Sequence, residues 1–182
     1  MTYFRKILAA AIAALLLLSG CELVDAIEVA VSGPECGSFG MPPELEERGL
    51  HLFDGPRDWD QIDEMIAVLE PYEGGHGPDV LFALGVSYMR KAHKMSDDPA
   101  YYRRGVRLLD WAALCGQPLA AYYLGSIYDE GMVGVEKNPE FGACLNRVYK
   151  AHHRPYDFFS YNRALIAGLV WGCGLRVEDV LE

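Results

Sequence analysis

A helix–turn–helix pattern recurs in this chain at an offset of forty residues. In its clearest copy, Asp98 suits a helix N-cap and Pro99 the first helical position, where its missing N–H is not needed. One apolar face follows at spacings of four, three and four residues: Tyr102, Val106, Leu109 and Ala113. The turn Cys115-Gly116-Gln117-Pro118 ends this helix, since Gly suits the left-handed position and Pro cannot continue a helix. A second helix is predicted next, with one face formed by Ala121, Leu124 and Tyr128.

Caps, turns and apolar faces repeat together at this offset. The N-cap residues are Asp58, Asp98 and Asn138, and Ile62, Ile66 and Leu69 occupy the places of Tyr102, Val106 and Leu109. A fixed offset in this range is typical of a repeat array, in which each helix pair buries its apolar face on the next. The sequence therefore predicts an all-α fold, an α/α solenoid of short helix–turn–helix repeats.

Two Leu-Gly doublets mark the second helix of each pair. The residues predicted to pack between repeats are Leu84, Gly85, Tyr88, Leu124, Gly125 and Tyr128. Glycine inside a helix costs about 1 kcal/mol relative to Ala. Its presence at both doublets therefore predicts a close approach of a neighbouring backbone, and we expect Ala112 and Ala113 as the small residues opposite.

These segments carry a family resemblance. ALGVSY at Ala83–Tyr88 and YLGSIYDEGMVGVEKNPEFGACL at Tyr123–Leu145 resemble Sel-1-like repeats, which are related to the tetratricopeptide class. The resemblance extends over residues 59–152 and implies about two good repeats plus capping helices, in a fold that serves protein–protein interaction. The segment between Tyr88 and Asp98 lacks the glycines of the family loop, and Leu165 stands where Gly is expected, so the number of repeats stays open.

Residues 1–20 are interpreted as a lipoprotein signal peptide. Arg5 and Lys6 precede the apolar run Ile7–Leu18, which is short for a membrane span. The run ends in Leu18-Ser19-Gly20-Cys21, the lipobox pattern, so we expect cleavage before Cys21 and lipidation of its thiol. Two or three acyl chains would form a stable anchor. An ordinary secretory signal with a chance Cys, or a simple membrane anchor, are the alternatives.

The remaining chain is divided into a tether and one domain. Residues 21–41 are interpreted as the lipidated Cys and tether, and residues 42–182 as the Sel-1-like α-helical repeat domain. Within that domain, a helix over residues 44–53 and a last helix from Pro155 or Asp157 to Trp171 are predicted to cap the two ends of the array. Glu22 after the lipidated Cys favours the outer membrane, with the domain facing the periplasm.

The charge of the chain limits the class of partner. The net charge is −10, and without Arg5 and Lys6 the expected mature chain has 14 basic against 26 acidic residues, a net charge of −12. Such a domain is a poor binder of nucleic acid, because phosphate contacts supply most of that affinity. The charge suits a basic partner, although solubility alone would also explain it.

Four cysteines besides Cys21 indicate two disulfides in an exported protein. They are Cys36, Cys115, Cys144 and Cys173, and three pairings are possible. A bond from either Cys36 or Cys173 would fix an end of the array. Of the three pairings we favour Cys115–Cys144 with Cys36–Cys173, and free buried thiols are the alternative. The sequence has no CxxC redox motif and no Cys/His spacing typical of a zinc site.

No motif predicts catalysis, a metal or a cofactor. The chain lacks GxSxG, SxxK, HExxH and P-loop patterns. The candidate partner-binding residues are instead aromatic or basic: Tyr101, Tyr122, Tyr123, Arg103 and Arg107. Tyr122 and Tyr123 point about 100° apart on a helix, so one of them is expected at the surface. Arg103, Arg104 and Arg107 form a small basic face that is either simply solvated or docks an acidic loop of a partner.

Three functions are consistent with these features. The first is a non-catalytic, lipid-anchored envelope scaffold or adaptor that binds another protein through its helical-repeat surface. The second is an immunity-type lipoprotein that neutralises a secreted antibacterial toxin, which the strong negative charge favours. The third is an enzyme acting on cell-wall peptides or β-lactams, against which the missing nucleophile–base motifs argue. No small-molecule substrate is expected for the first two.

Overall fold

The computed structural model describes Cys36 and residues 60–75, 77–152 and 163–175. Six α-helices account for most of these residues: α1 (Asp60–Leu69), α2 (Pro78–Lys94), α3 (Pro99–Leu114), α4 (Pro118–Glu130), α5 (Pro139–His152) and α6 (Arg163–Gly172). A 3-10 helix, Glu70–Gly75, connects α1 to α2. Within the described residues there is no strand, only a single bridge between Met132 and Val135. The all-α prediction is confirmed for this part of the chain.

Helix starts follow the local sequence. Each of α2, α3, α4 and α5 begins with a proline, and these starts lie forty residues apart in pairs. At α3, the Asp98 carboxylate accepts a hydrogen bond from the Ala100 N–H at 2.8 Å. At α5, the Asn138 side chain accepts one from the Phe141 N–H at 3.1 Å. Both N-caps are therefore confirmed; Asp58 lies outside the described residues.

The predicted apolar faces form the core. In α3, Tyr102, Val106, Leu109 and Ala113 are all buried, as are Ile62, Ile66 and Leu69 of α1. In α4, Ala121 and Leu124 are buried, and Tyr128 is partly buried against the same cluster. One continuous cluster runs from α1 to α6, so hydrophobic burial joins all six helices.

Helices consecutive in the chain pack closely where glycines face each other. A Cβ at Gly85 would lie 3.0 Å from the Gly105 carbonyl oxygen and from Leu109. A Cβ at Gly142 would lie 2.6 Å from the Gly125 carbonyl oxygen. The predicted close approach at both doublets is confirmed. The expectation that Ala112 and Ala113 lie opposite is wrong, since the nearest atoms belong to Gly105 and Leu109 for Gly85 and to Asn146 for Gly125.

The segment after Tyr88 is helical over most of its length. α2 continues to Lys94, so the connection to α3 is only Met95–Asp98, shorter than the sequence suggested. Ser96 and Asp97 adopt left-handed backbone conformations there, with φ of 59° and 64°. After α4, the residues with positive φ are glycines, Gly131 and Gly134. Ser96 and Asp97 adopt the same kind of conformation after α2, which explains how the chain turns there without glycine.

The last described helix departs from a regular array. α6 packs against α5, its predecessor, and also against α3. At its start, the Arg163 guanidinium donates to the Asp79 carboxylate of α2 at 3.0 Å. A Cβ at Gly116 would lie 2.3 Å from the Arg163 carbonyl oxygen. α6 therefore folds back over the turn between α3 and α4, and the predicted beginning of this helix at residues 155–157 lies outside the described residues.

The disulfides differ from the favoured pairing. Cys36 bonds Cys115, and Cys144 bonds Cys173. The assignment of all four cysteines to disulfides is confirmed, but the favoured partners were wrong. Because α6 packs against α5, Cys173 after the end of α6 reaches Cys144, and Cys115 bonds Cys36.

Several predictions fall outside the described residues. These are the signal peptide, Cys21, the tether apart from Cys36, and the helix over residues 44–53. Among the helices that are described, none combines the length and the apolar character needed to cross a membrane.

Candidate protein-binding surface

A tight loop after α4 separates two open clefts. The 131–138 loop begins at Gly131, which has a φ of 77° and ends the helix, and Gly134 turns it with a φ of 81°. The backbones of Met132 and Val135 exchange hydrogen bonds across this turn. The loop then closes back on α4, because the Asn138 N–H donates to the Tyr128 carbonyl at 2.8 Å. Met132 lines one cleft and Val135 the other.

The first cleft, named here the cationic cleft, lies between α3 and the 131–138 loop. Its volume is about 550 Å³. Basic side chains come from both walls, Arg103 and Arg107 from α3 and Lys137 from the loop. The other lining residues are Val106, Asp110, Tyr128, Gly134, Val135, Glu136 and Asn138. The two arginines share a helix face because they are four residues apart.

These three basic groups differ from the ion-paired basic residues elsewhere in the described part of the chain. Within the described residues, Arg103, Arg107 and Lys137 make no ion pair or hydrogen bond. Neighbouring Arg104 instead points to the 3-10 helix, with 3.2 Å to Glu70 and 2.9 Å to Glu73. The basic face predicted from sequence is thus divided, with one arginine used in packing and two left facing the cleft.

The second cleft, the apolar groove, lies between α2 and α4. Its volume is about 370 Å³. Its surface is mostly hydrocarbon, thioether and aromatic. The lining residues are Val86, Met89, Arg90, His93, Tyr102, Tyr123, Ser126, Ile127, Glu130 and Met132. Methionine side chains are flexible and polarisable, and they suit surfaces that adapt to a partner.

The adjacent tyrosines of α4 have separate environments. Tyr122 is 44% exposed, which confirms that one of the pair is at the surface. Its ring centroid lies 4.8 Å from that of Tyr149 on α5. Burial is the main cause that raises the pKa of Tyr149, and the nearby Tyr122 raises it further. Tyr123 lines the apolar groove and contacts Phe82 edge-on at 5.6 Å. Tyr122 and Tyr149 thus form a small aromatic pair, in which Tyr122 is exposed and Tyr149 half-buried.

Tyr101 lies apart from both clefts and has a structural role. It stacks on Tyr88 with ring centroids 6.0 Å apart, and the Lys91 ammonium lies 5.0 Å from its ring centroid. The buried Tyr88 hydroxyl donates to Glu70, and Arg104 covers the other side of its ring. Burial, and then this hydrogen bond, raise the pKa of Tyr88. The cluster fastens the 3-10 helix to α2 and α3.

Three groups of the surface were not predicted from sequence. Lys137 completes the cationic cleft, Asp110 lies buried in it, and Met89 and Met132 line the apolar groove. The burial of Asp110 could have been predicted from the sequence, because it follows Val106 by four residues and so lies on the same buried face of α3. Lys137 and Met132 belong to a loop, whose side-chain positions depend on the tertiary fold.

No group of His, Cys, Asp and Glu in the described ranges has the arrangement to hold a metal ion. His93 contacts Asp97 at 3.3 Å at the end of α2.

Comparisons of the chain with protein-family models, with curated proteins and with solved structures found no match. The two clefts are therefore interpreted from the chemistry of their own lining residues.

Proposed function

We propose that this chain is a non-catalytic, lipid-anchored protein of the bacterial envelope, and that it acts as a scaffold or adaptor by binding another protein. The observation that carries the proposal is the pair of open clefts on the two sides of the 131–138 loop, one cationic and one apolar. Protein interfaces combine an apolar centre with charged groups that fix register. The two clefts offer both kinds of contact within one surface.

A solenoid of Sel-1-like repeats is part of this proposal. Its support is that α2 and α4, and likewise α3 and α5, start forty residues apart and pack in the same order. The facing glycines Gly85–Gly105 and Gly125–Gly142 recur at the corresponding contacts. α6 is then the element that ends the array, because it covers α3 instead of continuing the stack.

The anchor is proposed from the lipobox at Leu18–Cys21, with the domain facing the periplasm from the outer membrane. Cys21→Ala should move the protein from the membrane fraction to the soluble periplasmic fraction. Ser32→Ala, outside the lipobox, is the matched control and should stay in the membrane fraction. Membrane retention of Cys21→Ala would contradict lipidation at this residue.

Partner binding is tested with the protein as bait against envelope and secreted proteins of its own cell. Any captured protein is then purified and its affinity measured for two variants. Met132→Glu places a charge in the apolar groove, whereas Met95→Glu makes the same change at a turn methionine that is 53% exposed and lies outside it. We expect Met132→Glu to weaken binding at least tenfold and Met95→Glu to leave it unchanged.

Two results would refute this proposal. One is a partner whose affinity is equal for both variants, which would mean that the apolar groove is not the contact. The other is the absence of any partner from either fraction. The melting temperature of each variant is measured alongside, so that loss of binding is not confused with loss of fold.

An immunity-type function is the second candidate, and the net charge of −10 favours it. An acidic protein attracts a basic partner at long range and speeds its association. A single tight partner from the secreted fraction, with toxicity that the bait suppresses, would identify this function. A set of resident envelope proteins would identify the scaffold.

A further inference from the structure

The cationic cleft concentrates basic groups on an otherwise acidic protein. Elsewhere in the described chain, several basic side chains are ion-paired, as Lys91 is with Asp63 at 2.9 Å. Around this cleft, Arg103, Arg107 and Lys137 keep their hydrogen-bond donors available. Three basic side chains face two acidic ones, Asp110 and Glu136, in this cleft, and a concave surface with an excess of one sign of charge attracts the opposite charge. The cleft is thus the place where an acidic ligand can bind this protein.

The guanidinium groups favour carboxylates in particular. Arginine presents its N–H donors in a planar fork that matches a carboxylate with two parallel hydrogen bonds. Arg103 and Arg107 lie one helical turn apart, so they can hold two successive acidic groups, with Lys137 opposite. Val106, Tyr128 and Val135 supply apolar surface for the stems of such side chains.

The acidic lining residues favour a peptide over a small anion. Asp110 and Glu136 share the cleft with the three basic groups. Both carboxylates repel acidic groups on any ligand, but an acidic peptide offsets this repulsion because its backbone N–H groups can donate hydrogen bonds to the Glu136 carboxylate. The volume of about 550 Å³ falls within the roughly 300–1,000 Å³ range of sites for drug-sized ligands, which corresponds to a few residues of an extended chain.

We propose that the cationic cleft binds an acidic, extended segment of the partner protein through Arg103, Arg107 and Lys137. This rests on the proposed function, since it names the chemistry of that partner at one of the two clefts. The net charge of −10 does not prevent it, because charges more than about 10 Å away are largely screened at 0.1 M salt. The local cations decide the interaction with a segment that has entered the cleft.

Fluorescence anisotropy of a fluorescein-labelled hexaglutamate peptide tests the proposal on the full-length protein in detergent. The double variant R103Q/R107Q removes two charges from the cleft. The matched control R147Q/K150Q removes the same charge from two exposed positions of α5 outside it. Glutamine has nearly the helix propensity of Arg and Lys, so both variants should fold. A labelled Gly-Ser hexapeptide is the uncharged control probe.

We expect saturable binding of hexaglutamate to the wild type and the control variant, and about tenfold or greater weakening for R103Q/R107Q. Equal binding by all three proteins, equal loss in both variants, or no binding would overturn the proposal. Displacement of the peptide by sodium glutamate at the same total carboxylate concentration would also overturn it, since the cleft would then be a site for small anions.

The same variants separate this inference from the proposed function. A purified partner that binds R103Q/R107Q as well as the wild type would overturn the acidic-segment inference and leave the binding function in place. Hexaglutamate binding that depends on the cleft arginines, without any captured partner, would support the cleft chemistry and count against the scaffold.

Discussion

The contact between α4 and α5 predicts an unusual outcome for Gly142→Ala. Alanine is the better helix former by about 1 kcal/mol, so the substitution would stabilise an unobstructed helix. At Gly142, however, a Cβ would lie 2.6 Å from the Gly125 carbonyl oxygen and 2.8 Å from the Asp129 backbone nitrogen. Both obstructing atoms belong to the backbone of α4, and they cannot rotate away.

The expected magnitude follows from these distances. Ordinary contacts begin at 3.4 Å, so α4 and α5 would have to separate by about 0.8 Å at this point. Overpacking of this kind costs about 1–3 kcal/mol. Because backbone must move, we take the upper part of that range, and the gain in helix propensity leaves a net loss of about 1–2 kcal/mol. For a chain of this size, that lowers the melting temperature by about 2–8 °C.

Denaturant unfolding of the oxidised protein, followed by circular dichroism, measures the effect. Gly74→Ala is the control, because nothing lies within 4 Å of a Cβ there, and its effect should stay within about 0.5 kcal/mol. Gly125→Ala should cost less than Gly142→Ala, since its nearest atoms belong to the Asn146 side chain, which can rotate. A Gly142→Ala protein as stable as the wild type, or more stable, would refute the close contact of α4 and α5.

Three further outcomes are expected. Replacing both cysteines of the Cys36–Cys115 disulfide by Ser should lower the unfolding free energy by about 4–5 kcal/mol, and the same change at Cys144–Cys173 by about 3–4 kcal/mol. The first disulfide stabilises more because it closes the longer loop, with a sequence separation of 79 against 29. The reverse order in denaturant unfolding would contradict this. Asp79→Ala removes the acceptor for the salt bridge to α6 and should cost about 1–3 kcal/mol, which an unchanged melting temperature would disprove. The pKa of Tyr88 is raised above its unfolded value of about 10, so its contribution to stability is complete below pH 10 and is lost as the pH rises further. Tyr88→Phe should therefore reduce the decline of the unfolding free energy above pH 10, and an identical slope would count against the buried phenol.

The repeating positions of the helices could be predicted because each depends on a few adjacent residues. A cap such as Asp98, a following proline and an apolar face define a helix locally, and all three were confirmed. The glycines that face the Leu-Gly doublets were missed. Gly105 follows Gly85 by twenty residues and Gly142 follows Gly125 by seventeen, so a search at an offset of forty does not relate them.

The disulfide partners depended on tertiary structure. Cys115 follows α3 and Cys144 lies in α5, and the sequence alone left three pairings possible. The return of α6 over α3 changes this, and the Arg163–Asp79 contact that holds it joins residues 84 apart. No local pattern reports such a contact. The cationic cleft could be predicted only in part. Arg103 and Arg107 share a helix face that the sequence shows, whereas the tertiary fold brings Lys137 close to them.

The fastening of the turn between α3 and α4 has a consequence for motion within the native state. The Cys36 disulfide ends at this turn, and beside it Asp79 accepts hydrogen bonds from Gln117 at 2.7 Å and from Arg163. The two clefts lie toward the other ends of these helices, beside the 131–138 loop. Regions with fewer such constraints open locally at lower free energy. Native-state hydrogen exchange is thus expected to be slowest at the fastened turn and to quicken toward the loop, which leaves the clefts free to adjust while the opposite end keeps the helices in register.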